Sequence, residues 1–286
     1  MVIDQRFYML NMFFIITNVN AISKLLKTVE NIAEKHPYVV ALLTDTKEYS
    51  CTGSIINSQT VLTSGNCVQI APAFVAVGLA VLSQSMNEKN IFKVTRIALH
   101  NDYIFESKAT ELNITKMHSN IGLVFTLRTV LDVFIPPVEI GNSFASELKE
   151  KDLVTLGFGY INSNVIVLQK QNYQQSPCEN PKWYYCICGI EKTSRKHYGR
   201  EFGDGAPVLF GMEIIAITAS PCRKLSLKSR NTKYNIFTVI GPYVPWIERT
   251  IRYANATYRL QSNRAIGKIL SVLSHWLLLL PLLVTI

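Results

Sequence analysis

The stretch Ser50-Cys51-Thr52-Gly53-Ser54-Ile55-Ile56-Asn57-Ser58-Gln59-Thr60-Val61-Leu62-Thr63-Ser64-Gly65-Asn66-Cys67 holds two strand-length apolar runs, Ser54–Ile56 and Thr60–Thr63, separated by turn residues and flanked by two cysteines. Runs of the same length and β-branched character lie on either side of it: Tyr38–Leu43, Phe74–Val77, Ile121–Phe125, Val154–Leu156 and Ile214–Thr218. Turn residues punctuate them at fairly regular intervals, and no long amphipathic helix intervenes, which predicts an all-β barrel or sandwich. There is no internal repeat and no low-complexity linker. One domain of roughly 230 residues, built as two packed β-barrels, fits better than several small ones.

Composition narrows the class without deciding it. The 286 residues are 48% hydrophobic, enough for a substantial core, and carry a formal charge of +9. That charge is compatible with nucleic acid, an anionic membrane surface or an acidic glycan. The Lys and Arg residues are nevertheless scattered, and no basic run is interleaved with aromatics, so an ordinary solvated basic surface is expected and nucleic acid is not. Six cysteines suit three disulfides in an oxidising compartment. CxxC pairs with zinc-ligand spacing are absent, and neither a metal nor another cofactor is expected.

Both termini read as targeting segments. Phe7–Thr17 is a short apolar stretch leading to Val19-Asn20-Ala21, so residues 1–21 are expected to be a signal peptide and the chain to enter the secretory pathway. From Ile269 to Ile286 the chain carries no charge, and no basic flank follows. Residues 255–286 are therefore expected to be a spacer and hydrophobic tail acting as a glycosylphosphatidylinositol signal, with Asn255-Ala256-Thr257 or Ser262-Asn263 at the attachment site. A membrane span and an apolar helix packed on the domain are the alternatives.

The segment Ser50–Cys67 resembles the first-barrel segment of the trypsin/chymotrypsin serine-protease family, where a cysteine, a small-residue strand and an Ala-Ala-His-Cys ending recur at this spacing. The likeness continues in order. His100-Asn-Asp-Tyr103 resembles a His-Pro-x-Tyr turn, Asn120-Ile-Gly-Leu-Val124 an Asp-Ile-Ala-Leu-Leu strand, and Gly157-Phe-Gly159 a Gly-Trp-Gly. Gly203-Asp-Gly-Ala-Pro207 resembles a damaged Gly-Asp-Ser-Gly-Gly-Pro, and Phe237–Ile247 the closing strand and terminal helix. The resemblance covers about residues 36 to 252 and implies two packed six-stranded antiparallel β-barrels with a short C-terminal helix, in a domain spanning residues 22–254.

The chemistry of that family needs a serine nucleophile, a histidine to take its proton and an aspartate to hold the imidazole. On the matching positions this chain carries Asn66 for histidine and Asn120 for aspartate. For serine, counting back from Pro207 gives Asp204, whereas aligning Gly203-Asp204 with the family's Gly-Asp deletes the serine altogether. An amide neither accepts nor returns a proton near neutral pH. The oxyanion-hole glycine falls on Phe202 or within the deletion. His100, His118 and His197 are the remaining imidazoles considered as substitutes and are expected to be ordinary surface or core residues. No glycine-bearing activation segment lies between Ala21 and Pro37, so activation by proteolysis is not expected. The resemblance thus implies a protein without catalytic residues.

The resemblance also implies a bridge between Cys51 and Cys67, and suggests Cys178 with Cys186 and Cys188 with Cys222; exchange of Cys186 and Cys188 leaves a second pairing open. Asn113-Ile-Thr115 and Asn255-Ala-Thr257 are N-glycosylation acceptors. The functional expectation is an extracellular, cell-surface binding or regulatory protein whose partner is another protein, an active protease or its substrate, with the membrane reached through the C-terminal tail. Two alternatives stand beside it. One is a hydrolase using Asp204. The other is a basic adhesion module reading anionic glycans through Lys192, Arg195, Lys196 and His197, with Arg223, Lys224, Lys228 and Arg230.

Overall fold

The structure is a computed structural model, described over residues 23–82, 86–108, 113–127, 135–161, 165–178, 180–192, 203–222 and 234–254. It opens with a helix that the sequence reading did not foresee, α1, over residues 23–35. Lysine, leucine and glutamate dominate it, all good helix formers, and Pro37 ends it by disfavouring helical geometry at His36. The His36 N–H still closes the last turn on the Ile32 carbonyl at 2.9 Å.

The first barrel is assembled from β1 (Val39–Leu43), β2 (Tyr49–Asn57), β3 (Thr60–Thr63), β4 (Phe74–Ala76), β6 (Ile91–Leu99) and β9 (Gly122–Thr126), in the closed order β1-β2-β3-β9-β6-β4. Every residue of β1, β3 and β9 is buried. Their near-continuous apolar runs therefore belong to strands covered on both faces. Between β3 and the later strands, the single-turn helix α2 (Gly65–Gln69) is capped by Ser64, whose hydroxyl accepts the Cys67 N–H at 3.3 Å.

The second barrel runs β10 (Asp152–Tyr160), β13 (Pro207–Phe210), β14 (Glu213–Cys222), β15 (Tyr234–Val239), β12 (Cys186–Glu191) and β11 (Ile166–Ser176), and the β10–β11 pairing closes it. The short β5 (Val81–Leu82), from the first half of the chain, adds to the edge of β11. All pairings in both barrels are antiparallel, as expected from the sequence. Leu153, Ile187, Val208, Ile215, Phe237 and Val239 are part of the core of the second barrel. A two-stranded ribbon, β7 (Ile104–Lys108) with β8 (Asn113–His118), stands apart. Its residues Ile114 and Met117 join Trp183, Cys188, Ala219 and Ile236 in a further buried cluster.

The barrels belong to a unit ending at Pro242, and a second unit begins at Tyr243 with helix α3, residues 244–254. Within α3 the Thr250 hydroxyl donates to the Trp246 carbonyl at 2.7 Å, and Arg252 pairs with Glu248 one turn earlier. Among the described residues, no helix is long and apolar enough to cross a membrane. The segments 1–21 and 255–286, with Asn255, lie outside the described residues. So do Phe202, the side chain of Asn113 at the head of β8, and the cluster Arg195, Lys196, His197, Arg223, Lys224, Lys228 and Arg230.

The bridge Cys51–Cys67 forms, with Cα atoms 5.9 Å apart. The suggested Cys178–Cys186 pairing does not, because Cys178 is bonded to Cys188, and the partner suggested for Cys188 is thereby corrected as well. Register explains the difference. Ser176 is the last residue of β11 paired with β12, opposite Cys188. Continuing that ladder would bring Cys178 opposite Cys186, but Pro177 lacks the N–H needed to extend it. The chain leaves the sheet, and Cys178 turns back onto Cys188. Cys186 remains a thiol that donates to the Tyr184 carbonyl at 3.2 Å, and burial pushes its pKa up to about 12.

Candidate functional site

Asn66, Asn120 and Asp204 are 138 residues apart at the extremes, and the fold brings them together between the two barrels. Asn66 sits in the first turn of α2, and every polar atom of its side chain is engaged. Its Nδ2 donates to Asp204 Oδ2 at 3.3 Å and to the Ala219 carbonyl at 3.2 Å. Its Oδ1 accepts the Tyr103 hydroxyl at 2.7 Å. Its backbone N–H donates to Asn120 Oδ1 at 3.0 Å.

Asn120 is fully buried. Its Nδ2 donates to the Ala219 carbonyl at 3.3 Å and lies 3.6 Å from Met117 Sδ. The Ala219 carbonyl is thus shared by two neighbouring side-chain amides, Asn66 and Asn120.

Asp204 is positioned by its backbone. Its carbonyl accepts the Thr52 N–H from β2 at 3.0 Å, while on either side Gly203 N–H donates to Phe158 O in β10 and Gly205 N–H to Thr218 O in β14. Three strands from two barrels therefore hold one turn. Gly205 is required in it: φ is +80°, and a Cβ would come within 2.1 Å of Thr63 Oγ1 and 2.3 Å of the Thr52 carbonyl. This placement brings the Asp204 carboxylate against the Asn66 side chain.

Tyr103 is the member of the site that sequence reasoning did not assign. It closes the His100–Tyr103 turn, yet nothing in the sequence shows that its ring reaches 37 residues back to Asn66. Gly65 makes room for it, because a Cβ there would lie 2.5 Å from the Tyr103 ring. Burial, and next the Asp204 charge, push the Tyr103 phenol up to about 12, so it is a proton donor to Asn66 at physiological pH. The Tyr49 phenol donates to the Phe158 carbonyl at 3.0 Å. Burial raises its pKa well above the ordinary range, and the charge of Asp204 acts in the same direction.

The imidazoles have other engagements. His118 Nδ1 lies 3.0 Å from the Asp102 carbonyl and 2.9 Å from Ser119 Oγ, and its ring packs edge-on against Tyr184 at 5.1 Å. The adjacent Ser119 hydroxyl is no surface nucleophile, since that residue is 1% exposed. His100 Nδ1 accepts the Asp102 N–H at 3.2 Å; burial lowers its pKa, and the His118 charge works the same way against an opposing pull from Asp102. His197 lies outside the described residues. Lys192 pairs with Asp152. Among the described residues no cluster of His, Cys, Asp and Glu suits a metal ion.

Taken chemically, the arrangement offers one carboxylate, Asp204, accepting from the Asn66 amide, whose own oxygen accepts from the Tyr103 phenol. At Asn66 it has no atom able to shuttle a proton.

Comparison with known proteins places this geometry in context. The family model described as Trypsin matches residues 27–247. Trypsin theta of Drosophila melanogaster is 31% identical over 99 residues, which is 33% of this chain and 36% of that protein, so the chain matches about a third of that relative's length. Neuropsin, described as a serine protease expressed in the limbic system of mouse brain, superposes with a TM-score of 0.58 at 18% identity, over 76% of this chain and 95% of its own. Kallikrein-related peptidase 10, in complex with Zn2+, does so with a TM-score of 0.55 at 16% identity, over 76% and 97%. At these identities the two structures establish the fold alone.

Proposed function

Because this chain belongs to the trypsin family, we propose that it is a non-catalytic protease homologue that acts by binding, with Asn66, Asn120 and Asp204 standing where the family carries its histidine, aspartate and serine. The observation that carries this reading is the 3.3 Å contact between Asn66 Nδ2 and Asp204 Oδ2. Acyl transfer needs a base beside the nucleophile. Here the group beside Asp204 is a donor amide, and its other polar side-chain atom, Oδ1, already accepts from Tyr103. The intact barrels still present surface loops, which carry recognition independently of chemistry.

Two disulfides among the described residues and the trypsin-like fold agree with a secreted, extracellular protein. We extend this to the cell surface: the uncharged segment Ile269–Ile286 tethers the domain through a lipid anchor, or else through a span, and the partner is an extracellular protein, an active protease or its substrate. Release from intact cells by a phosphatidylinositol-specific phospholipase separates the two tethers.

The deciding experiment treats the full-length protein, expressed in animal cells, with a fluorophosphonate probe and a mixed peptide library. The expected result is neither labelling nor turnover. Turnover that disappears in Asp204→Asn would overturn the proposal in favour of a hydrolase built on the carboxylate.

A further inference from the structure

Apart from Asn66, Asn120 and Asp204, α1 and β11 border an open cavity of about 380 Å³ whose lining includes Lys24, Lys27, Lys35 and Lys170. The remaining lining residues, among them Thr28, Asn31 and His36, contribute hydroxyl, amide and imidazole groups, and no carboxylate. The sequence explains this concentration. Positions 24, 27, 28, 31 and 35 recur at helical spacing and so share one face of α1. Across from it, Lys170 occupies an exposed outward position in β11, whose burial alternates along the strand. Two elements far apart in the chain therefore turn lysines toward the same space. His36 registers the resulting field: after burial, the nearby Lys170 and Lys35 charges are what lower its pKa.

We propose that this cavity is a binding site for a sulfated polysaccharide. Such a ligand supplies repeated anionic groups, and the geometry calls for repetition. Lys24 and Lys35 are eleven residues apart on one helix, about 16 Å along its axis. A single phosphate or sulfate cannot reach both, whereas a chain lying along α1 meets Lys24, Lys27 and Lys35 in turn and Lys170 from the other wall. Asn31 adds a neutral donor suited to sugar hydroxyls, and the Thr28 hydroxyl, whose proton goes to the Lys24 carbonyl, adds an acceptor. The disulfides assign the domain to an oxidising compartment, where sulfated glycans rather than nucleic acids are the abundant polyanions. A concave seat also suits a chain better than a flat bilayer. The site is separate from Asn66, Asn120 and Asp204, and its operation does not depend on whether the domain cleaves peptides.

The test uses the full-length protein and heparin as probe, with binding measured at about 0.15 M salt and on a salt gradient. The quadruple variant Lys24→Gln, Lys27→Gln, Lys35→Gln and Lys170→Gln is compared with an equally charge-depleted control, Lys89→Gln, Lys93→Gln, Lys149→Gln and Lys182→Gln. Four exposed ionic contacts together predict a loss of about thirtyfold in affinity for the first variant and elution at lower salt, with less than about threefold for the control. Far-ultraviolet circular dichroism of both variants checks that the substitutions, all at exposed positions, leave the fold intact. Equal loss in the two variants would overturn the site in favour of diffuse net charge. No measurable heparin binding by the parent, or tighter binding to phosphatidylserine vesicles than to heparin, would overturn the ligand class.

Discussion

Replacing Asn120 by aspartate exchanges an NH2 group for an oxygen at a position with no solvent access. Two contacts define the consequence. Oδ1 keeps the Asn66 N–H at 3.0 Å, but the second oxygen now faces the Ala219 carbonyl, 3.3 Å from the present Nδ2, and Met117 Sδ, neither of which can donate. An ionised carboxylate there would be buried with one hydrogen bond and without a partner cation, at a cost of roughly 3–5 kcal/mol. The folded protein avoids part of this by keeping the new carboxyl protonated, donating to Ala219. Its pKa is then raised in the fold while that of the unfolded chain stays near about 4. The sign follows. Below about pH 4 both states are protonated and the variant is close to the parent. As pH rises the unfolded chain ionises first, and stability falls by up to about 1.4 kcal/mol per pH unit until the folded carboxyl also ionises. At neutral pH a loss of about 3 kcal/mol corresponds to a melting temperature lower by about 6–12 °C for a domain of this size. Calorimetric melts at several pH values, with Asn120→Ala as a comparison whose deficit does not vary with pH, provide the assay. An Asn120→Asp protein as stable as the parent at neutral pH would refute the assignment of Nδ2 to the Ala219 carbonyl, and with it the argument that this site is built for amides.

Three further outcomes follow from the same geometry. Replacing both Cys51 and Cys67 by serine opens a loop of sequence separation 16, and the urea midpoint should fall in line with a loss of about 3 kcal/mol. Gly205→Ala combines a positive φ of +80° with a Cβ 2.1 Å from Thr63 Oγ1, so secretion should drop sharply and any folded protein should be destabilised by at least about 3 kcal/mol in urea. Tyr103→Phe removes the 2.7 Å donor to Asn66 and should cost about 1 kcal/mol. In the parent, the Tyr103 phenol titrates near about 12 rather than its ordinary 10, so stability should decline as pH rises through that window; ultraviolet titration should show one late-ionising tyrosine fewer in the variant.

Much of the fold was legible in order and composition. The apolar runs from Tyr38 to Thr218 became β1, β2, β3, β4, β9, β10 and β14, because strand-length runs between turn residues have few other ways to bury themselves. Those runs did not include the barrel strands β6, β11, β12 and β13, nor several elements whose patterns are weak or local. The β7–β8 ribbon has polar residues at several positions, β5 is two residues long, and α1 has only Val29 fully buried, at 3% exposure. Contact with a distant element, not periodicity, accounts for β5, which has a ladder only because β11 lies beside it.

By itself the sequence determined the identity of the groups at the site. Asn66 before Cys67 and Asn120 before the Ile121–Phe125 run are amides whatever the fold does with them, and proton transfer is a property of the functional group. Only the tertiary structure decided where those groups point and whom they meet: that Asp204 faces Asn66, that Tyr103 reaches across to it, that Cys178 chooses Cys188, and that lysines from α1 and β11 converge on one cavity. The physical reason is common to all four. Each depends on the register and closure of strands far apart in the chain, and a hydrogen bond, a disulfide or a shared cavity is settled within a few ångströms that residue spacing along the chain does not specify.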